Sequence, residues 1–254
     1  MMSDLKKVFL GKDTTIQLNA VSETRAYGFT CQNFENDTLI STLHYEVDIR
    51  CTQNPSNIFF FEINRKQVCI DNSAPDLKIE QIADACSQAI FPIRVKVSQE
   101  GNLINIVNHN DIEERWFPIK ERLLKYYTGN IITDILLKIE TTLVDKTLLK
   151  KAIGEMWFFH LYFQPLYTHY KPHESNRYIW ESLVFGNQII TYGIQQTIGE
   201  YYSETDKIFI NIRGKAIEER SINEVLKGCS YPKSKLAGMK VKPLESYTEV
   251  QYKL

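Results

Sequence analysis

The run HYEVDIRC, His44 to Cys51, is the tightest constraint on how this chain can fold. Tyr45, Val47 and Ile49 alternate with Glu46, Asp48 and Arg50. A strict period of two puts one set on each face of an extended strand, and a helix would scatter both sets around its circumference. The turn-forming segment TQNPSN follows. IFFFEINRKQVCI then returns with the β-branched and aromatic content of a partner strand. The first seventy residues therefore read as strands, with an antiparallel hairpin among them.

The period changes at DNSAPDLKIEQIADACSQAIFP. Ile79, Ile82, Ala83, Cys86, Ala89 and Ile90 recur at three and four, which predicts a helix with one apolar face. Ser73 or Asp76 is placed to cap its start, and Pro92 marks its end. IRVKVSQEGNLINIV reverts to alternation and predicts a second hairpin, turned at QEGN. Asn110 and Glu113 have the spacing of a capping box, so a helix is expected to start there, to be divided at Pro118 and to be broken at Gly129. Ile132, Ile135, Leu136, Ile139 and Leu143 make another apolar stripe. Leu149, Ile153, Met156 and His160 carry helical spacing into the aromatic run WFFHLYFQPLYTHYKPHE. Beyond Tyr178, the segments NQIITYGIQQTIGEYY, DKIFINIRG and YTEVQYKL are strand-like.

Elements segregated in this order predict an α+β fold: a largely antiparallel, curved sheet or partly open barrel packed on a central helical block. No linker rich in Pro, Gly or Ser divides the chain. Residues 1–254 are accordingly expected to form a single compact domain, strand-rich over 1–109, helical over 110–180 and strand-rich over 181–254. INIVNHNDIEER (104–115) and INIRGKAIEER (210–220) are alike once one gap is allowed, and chance explains this better than duplication because the shared residue types are frequent here.

Composition narrows the function classes. With 43% hydrophobic and 24% charged residues the chain belongs with folded proteins, and its net charge of −1 argues against a dedicated nucleic-acid binder. The local exception is KGCSYPKSKLAGMKVK, which holds lysines and no acid. It reads first as a solvated loop, with Lys233, Lys235, Lys240 and Lys242 as candidates for contact with an anionic partner. Five cysteines at irregular spacings form no CxxC pair and fit free thiols in a reducing compartment. The apolar run VFL near the start is too short for a signal-peptide core, and no window reaches the roughly 18 apolar residues of a membrane span. A cytoplasmic protein is expected, in which the NDT sequon at Asn36 has no meaning.

The aromatic run raises the question of chemistry. His169 and His173 lie four apart beside Glu174, but Pro172 between them opposes a shared helix, and no HExxH pattern or nearby cysteine completes a zinc set. Trp157, Leu161 and Pro165 share one helical side, and Phe159 and Phe163 another, which fits a buried helix. The functional version is a pocket wall formed by Trp157, Phe159, His160, Phe163, Gln164 and Tyr167. GKDTT at Gly11 lacks the earlier glycine of a phosphate loop, no Gly-x-Ser-x-Gly elbow is present, and the pairs Glu113/Glu114 and Glu218/Glu219 read as helix-start acids. No cofactor, metal or catalytic set is expected. The chain reads as a non-enzymatic binding protein for a protein partner, in an inhibitor, immunity-type or secretion-adaptor role. Tyrosine suited to interfaces and exposed-looking strand edges near both ends support this. The alternative is an apolar small-molecule or lipid-binding protein that uses 157–170 as a pocket wall. An enzyme assembled only in three dimensions ranks third, its best clue being His160 or His169 with a carboxylate in a shared cleft.

Overall fold

The computed structural model describes residues 6–8, 13–20, 23–35, 37–54, 56, 58–185 and 188–254. In chain order its elements begin with β1 (Thr14–Thr15), β2 (Arg25–Glu35), β3 (Thr38–Gln53), β4 (Phe59–Ile70) and α1 (Lys78–Ser87). β5 (Ile93–Val97), β6 (Leu103–Ile106), α2 (His109–Tyr126), α3 (Asn130–Val144), α4 (Lys146–Glu155) and α5 (Trp157–Tyr162) follow. The remainder comprises β7 (His169–Tyr170), β8 (Asn176–Phe185), β9 (Gln188–Ile198), β10 (Phe209–Ala216), α6 (Ile222–Leu226), α7 (Lys233–Leu236) and β11 (Tyr247–Lys253). The fold is α+β, with antiparallel sheets that are curved and not closed. Two compact units are formed, one from Leu18–Pro165 and one from Met1–Gln17 together with Leu166–Leu254.

In the first unit the sheet runs β2-β3-β4-β5-β6. The alternation of β3 holds: Tyr45, Val47, Ile49 and Cys51 are buried. The predicted hairpins are both present, β3 pairing antiparallel with β4 and β5 with β6. Ile63, Ile93 and Val95 join a core that also takes Ile82 and Cys86 from α1, Ile112 and Trp116 from α2, Leu136 and Leu143 from α3, and Leu149 and Ile153 from α4. Each isoleucine, leucine or valine among them contributes about 1.5–3 kcal/mol relative to exposure.

The helices depart from expectation in five respects. In α1, Ile79 and Ala83 are exposed. The helix is rotated so that Ile82 and Cys86 face the core, which leaves those two on its outer shoulder. Neither Ser73 nor Asp76 caps it; instead the Glu80 carboxylate accepts the backbone N–H of Asp76 and of Leu77. α2 starts two residues early, with Asn108 at its N-cap and not Asn110. The Asn108 side chain is spent on the sheet, accepting from Arg94 N and donating to Pro92 O. Pro118 does not divide α2, which continues through it with Pro118 and Glu114 both on the solvent face. Pro118 has no N–H to give the Glu114 carbonyl, a loss that costs least on a solvent face. Gly129 does break the helical run, at φ +120°. Finally, the helices end at Tyr162, and 176–180, expected to be helical, is the start of β8.

In the second unit the sheet runs β11-β10-β9-β8, beside a two-stranded ribbon of β1 and β7. Ile190, Tyr192, Ile194, Ile210 and Ile212 are buried on one face. Arg213 and Glu249, cross-strand partners on the other face, form an ion pair at 2.9 Å. Gly214 is required by close approach: a Cβ there would meet Ile194 Cδ1 at 2.5 Å and Thr248 Cγ2 at 2.7 Å. The two similar segments differ in conformation, since Ile112–Arg115 is helical and Ile217–Arg220 is not. Among the described residues no helix is long and apolar enough to cross a membrane.

Candidate functional site

The first half of the aromatic run, up to Pro165, is built into the core of the first unit. Phe158, Phe159 and Phe163 are buried, and they meet rings from the sheet and from each other. Phe163 packs edge-on against Phe61 at 5.6 Å, Phe159 lies parallel to Phe91 at 6.2 Å, and Phe158 meets Phe29 at 6.1 Å. These spacings are those of favourable ring pairs. Trp157 is exposed, with its ring 5.8 Å from that of His160. His160 is half-buried, and burial lowers its pKa. Gln164 is buried and donates to the His160 carbonyl. Tyr167 is half-buried and belongs to the second unit. The ring pairs account for Phe159 and Phe163 as core residues.

His169 does find a carboxylate. Its Nε2 lies 3.1 Å from Asp13 Oδ2 and its Nδ1 lies 3.1 Å from Thr15 Oγ1. Thr15 and His169 are direct cross-strand partners on the β1–β7 ribbon, and Asp13 and His169 are each about half exposed. A relay in that setting works in a high dielectric, where oriented dipoles lose most of their value. His173 sits in a turn at φ +60°, away from any shared helix with His169. Cys86, buried in the core, has its thiol pushed up to about 11, so it stays protonated and a poor nucleophile at neutral pH. All five cysteines are free.

A polar cleft of about 460 Å³ opens beside β4 and α1, lined by Asn64, Arg65, Lys66, Asp84, Gln88 and Phe91 among others. Its charges are internally committed. Arg65 bonds Asp84 at 2.6 Å and also the Ser87 hydroxyl, and its guanidinium lies over the rings of Tyr45 and Phe91. Burial lowers the Arg65 pKa, with Asp84 opposing the effect, and raises Tyr45 to about 12. Lys66 is held by Asp48 at 2.9 Å and Glu46 at 3.5 Å. A charged ligand entering this cleft would have to compete with every one of these pairs.

The least satisfied surface in the first unit is the far end of the β2–β3 hairpin. β4 accompanies β3 only from Leu43, where the pairing ends in a turn at Asp71. There Asp71 Oδ1 accepts from Thr42 N, and Asp71 N donates to Thr42 O. Beyond Thr42, among the described residues, the two strands pair only with each other, through Asn33↔Ser41, Phe34↔Leu39 and Glu35↔Thr38. Ile40 is left over as a bulge. This two-stranded arm carries Phe34, Leu39 and Ile40 at 60%, 47% and 57% exposure. Its base is anchored by Phe29, stacked on Tyr45, and by Tyr27, edge-on to Tyr162. β2 is also an edge strand, so one row of its backbone groups is unpaired within the described sheet. The arm was not singled out from sequence, although FENDTLI has apolar residues flanking turn formers. Asn36 and Gly11 lie outside the described residues.

The four candidate lysines are all exposed in the second unit. Lys235 pairs with Glu219 at 2.6 Å and Lys242 with Glu245 at 3.1 Å, while Lys233 lies over the Tyr231 ring. Glu218 and Glu219 are not helix-start acids: Glu218 chelates Arg220 ahead of α6. Among the described residues, no cluster of three or more His, Cys, Asp or Glu is arranged to hold a metal ion. No family model matches this chain, and neither the curated proteins nor the solved structures compared with it give a match.

Proposed function

We propose that the chain is a non-enzymatic, cytoplasmic binding protein that recognises a protein partner through the β2–β3 arm. The observation that carries this reading is the combination of exposed apolar side chains and an unpaired strand edge on one element. Exposed edges template strand addition, in which main-chain bonds supply affinity and alternate side chains supply selectivity. Natural sheets ordinarily blunt such edges with charge, proline or a covering segment. Here Phe34, Leu39 and Ile40 stand exposed on the hairpin extension instead. β11, the outer strand of the other sheet, offers a second edge. The free thiols fit a reducing compartment. An inhibitor, immunity-type or adaptor role is compatible with this surface.

The test is a Phe34→Asp, Leu39→Ser double variant. Both side chains are solvent-exposed, so its stability should stay within about 0.5 kcal/mol of the parent. A partner co-purifying with the parent should be lost from the variant. Hydrogen exchange on the parent complex should show new protection across Arg25–Glu35. A complex that survives the double substitution, with exchange in β2 unchanged, would count against the arm and against the function assigned to it.

A further inference from the structure

We propose that the segment from Leu226 to Lys242 is a docking surface for an anionic lipid bilayer. This stands apart from the arm and rests on different residues. Lys227, Lys233, Lys235, Lys240 and Lys242 are exposed, with no carboxylate among residues 227–242. Interleaved with them are exposed apolar side chains: Leu226 at 65%, Leu236 at 73% and Met239 at 62%, with Tyr231 and Val241 also outside. Apolar side chains left in water next to lysines are costly in solution. They become favourable where acyl chains receive the one and headgroup phosphates the other.

The segment is held in place by built contacts, not by its own packing. The Glu224 carboxylate, on α6, accepts from Ser221 N and Oγ at 2.8 Å each with one oxygen. Its other oxygen accepts from Ser234 N at 2.7 Å and Ser234 Oγ at 2.9 Å, which ties α7 down. Arg220 fastens the stretch twice more, donating from its side chain to Cys229 O and accepting from Leu244 N at its carbonyl. Gly238, at φ +73°, ends α7 and turns the chain. Between these fixed points Lys233, Lys235, Leu236, Met239 and Lys240 are left facing solvent.

Charge complementarity selects the occupant. The positive residues here are all lysine, whereas protein interfaces favour arginine and are depleted in lysine. A fluid anionic surface requires no fork geometry and attracts each nearby lysine about fivefold. The ion pairs of Lys235 and Lys242 are solvent-exposed, weak, and exchangeable for headgroup phosphates.

The experiment is vesicle flotation of the full chain. Vesicles of phosphatidylcholine alone are compared with vesicles doped with phosphatidylserine. Binding is expected only to the doped vesicles, and is expected to weaken as salt rises from about 0.1 M to about 1 M and the screening length falls from roughly 10 Å to 3 Å. Lys233→Gln with Lys240→Gln should weaken it roughly twenty-five-fold. Leu236→Ser with Met239→Ser should weaken it about tenfold through the apolar component. Unchanged melting temperatures would show that both variants remain folded. No binding of the parent to doped vesicles would overturn the proposal, as would equal binding by parent and variants. Retention on immobilised poly-glutamate without vesicle binding would reassign the surface to an acidic polypeptide and equally overturn it.

Discussion

Two side chains set the terms at the residue scale. Glu224 accepts four hydrogen bonds from two serines, and those bonds, led by the Ser234 and Ser221 backbone amides, hold its carboxyl at about 2, below its ordinary 4.5. A depressed carboxylate stabilises the fold above its unfolded pKa, and that contribution is lost as pH falls through the folded value. Glu224→Gln should therefore melt at a lower temperature than the parent at neutral pH. The gap should narrow below about pH 4.5 and close near pH 2, which paired thermal melts across that range would show. Arg65 is the second case. It is nearly buried between two rings with Asp84 as its counter-charge. Arg65→Met keeps most of the apolar contact and leaves Asp84 without its cation, at an expected cost of about 2 kcal/mol. If Asp84→Asn is added, urea titration should return part of that loss, because no unpaired carboxylate then remains.

At the element scale α2 is the informative case. Local propensity favours a break at Pro118, yet the helix carries on because Ile112, Trp116 and Leu123 are buried along one face on both sides of the proline. Tertiary burial of that stripe outweighs one missing hydrogen bond and the local clash. Pro118→Ala should then stabilise the protein by about 1–2 kcal/mol, less than the full helix-interior penalty because the proline also restricts the unfolded chain. The expected signature is a higher urea midpoint with an unchanged slope. A lower midpoint would mean that Pro118 supports a contact the helix needs. The β2–β3 arm follows the opposite rule. Its strand character is local, but its exposure arises because β4 stops accompanying β3 at Leu43.

For the whole molecule, the two compact units make different demands on the chain. The unit Leu18–Pro165 is continuous in sequence and contains its own sheet, helices α1 to α5 and the hydrophobic cluster from Tyr45 to Phe163. The other unit draws on Met1–Gln17 and Leu166–Leu254, so neither piece holds it alone. A fragment spanning 18–165 should unfold cooperatively, with fixed near-ultraviolet ellipticity and a sharp denaturant transition. A fragment without tertiary signal, beside a full chain that melts in one step, would favour the single domain expected from the absence of a linker.

Residues 44–51 and 93–97 announced their strands because the side-chain period of a strand is a local property, and Ile132 to Leu143 announced a helix for the same reason. The free cysteines and the α+β class followed from spacing and element order. Ile79, Asn110, Pro118 and Glu218 show where local rules end. Each was assigned a role from its neighbours in sequence, while its environment was set by residues far along the chain: the core that rotates α1, the Asn108 contacts with Arg94 and Pro92, the buried stripe beneath α2, the guanidinium of Arg220. The exposed arm and the Glu224 clasp likewise depend on where a partner strand ends and where Ser234 folds back onto α6. Sequence pattern determined what each segment is, because period and propensity act over a few residues. Tertiary structure alone decided which segments are covered, because burial is a property of the whole packed chain.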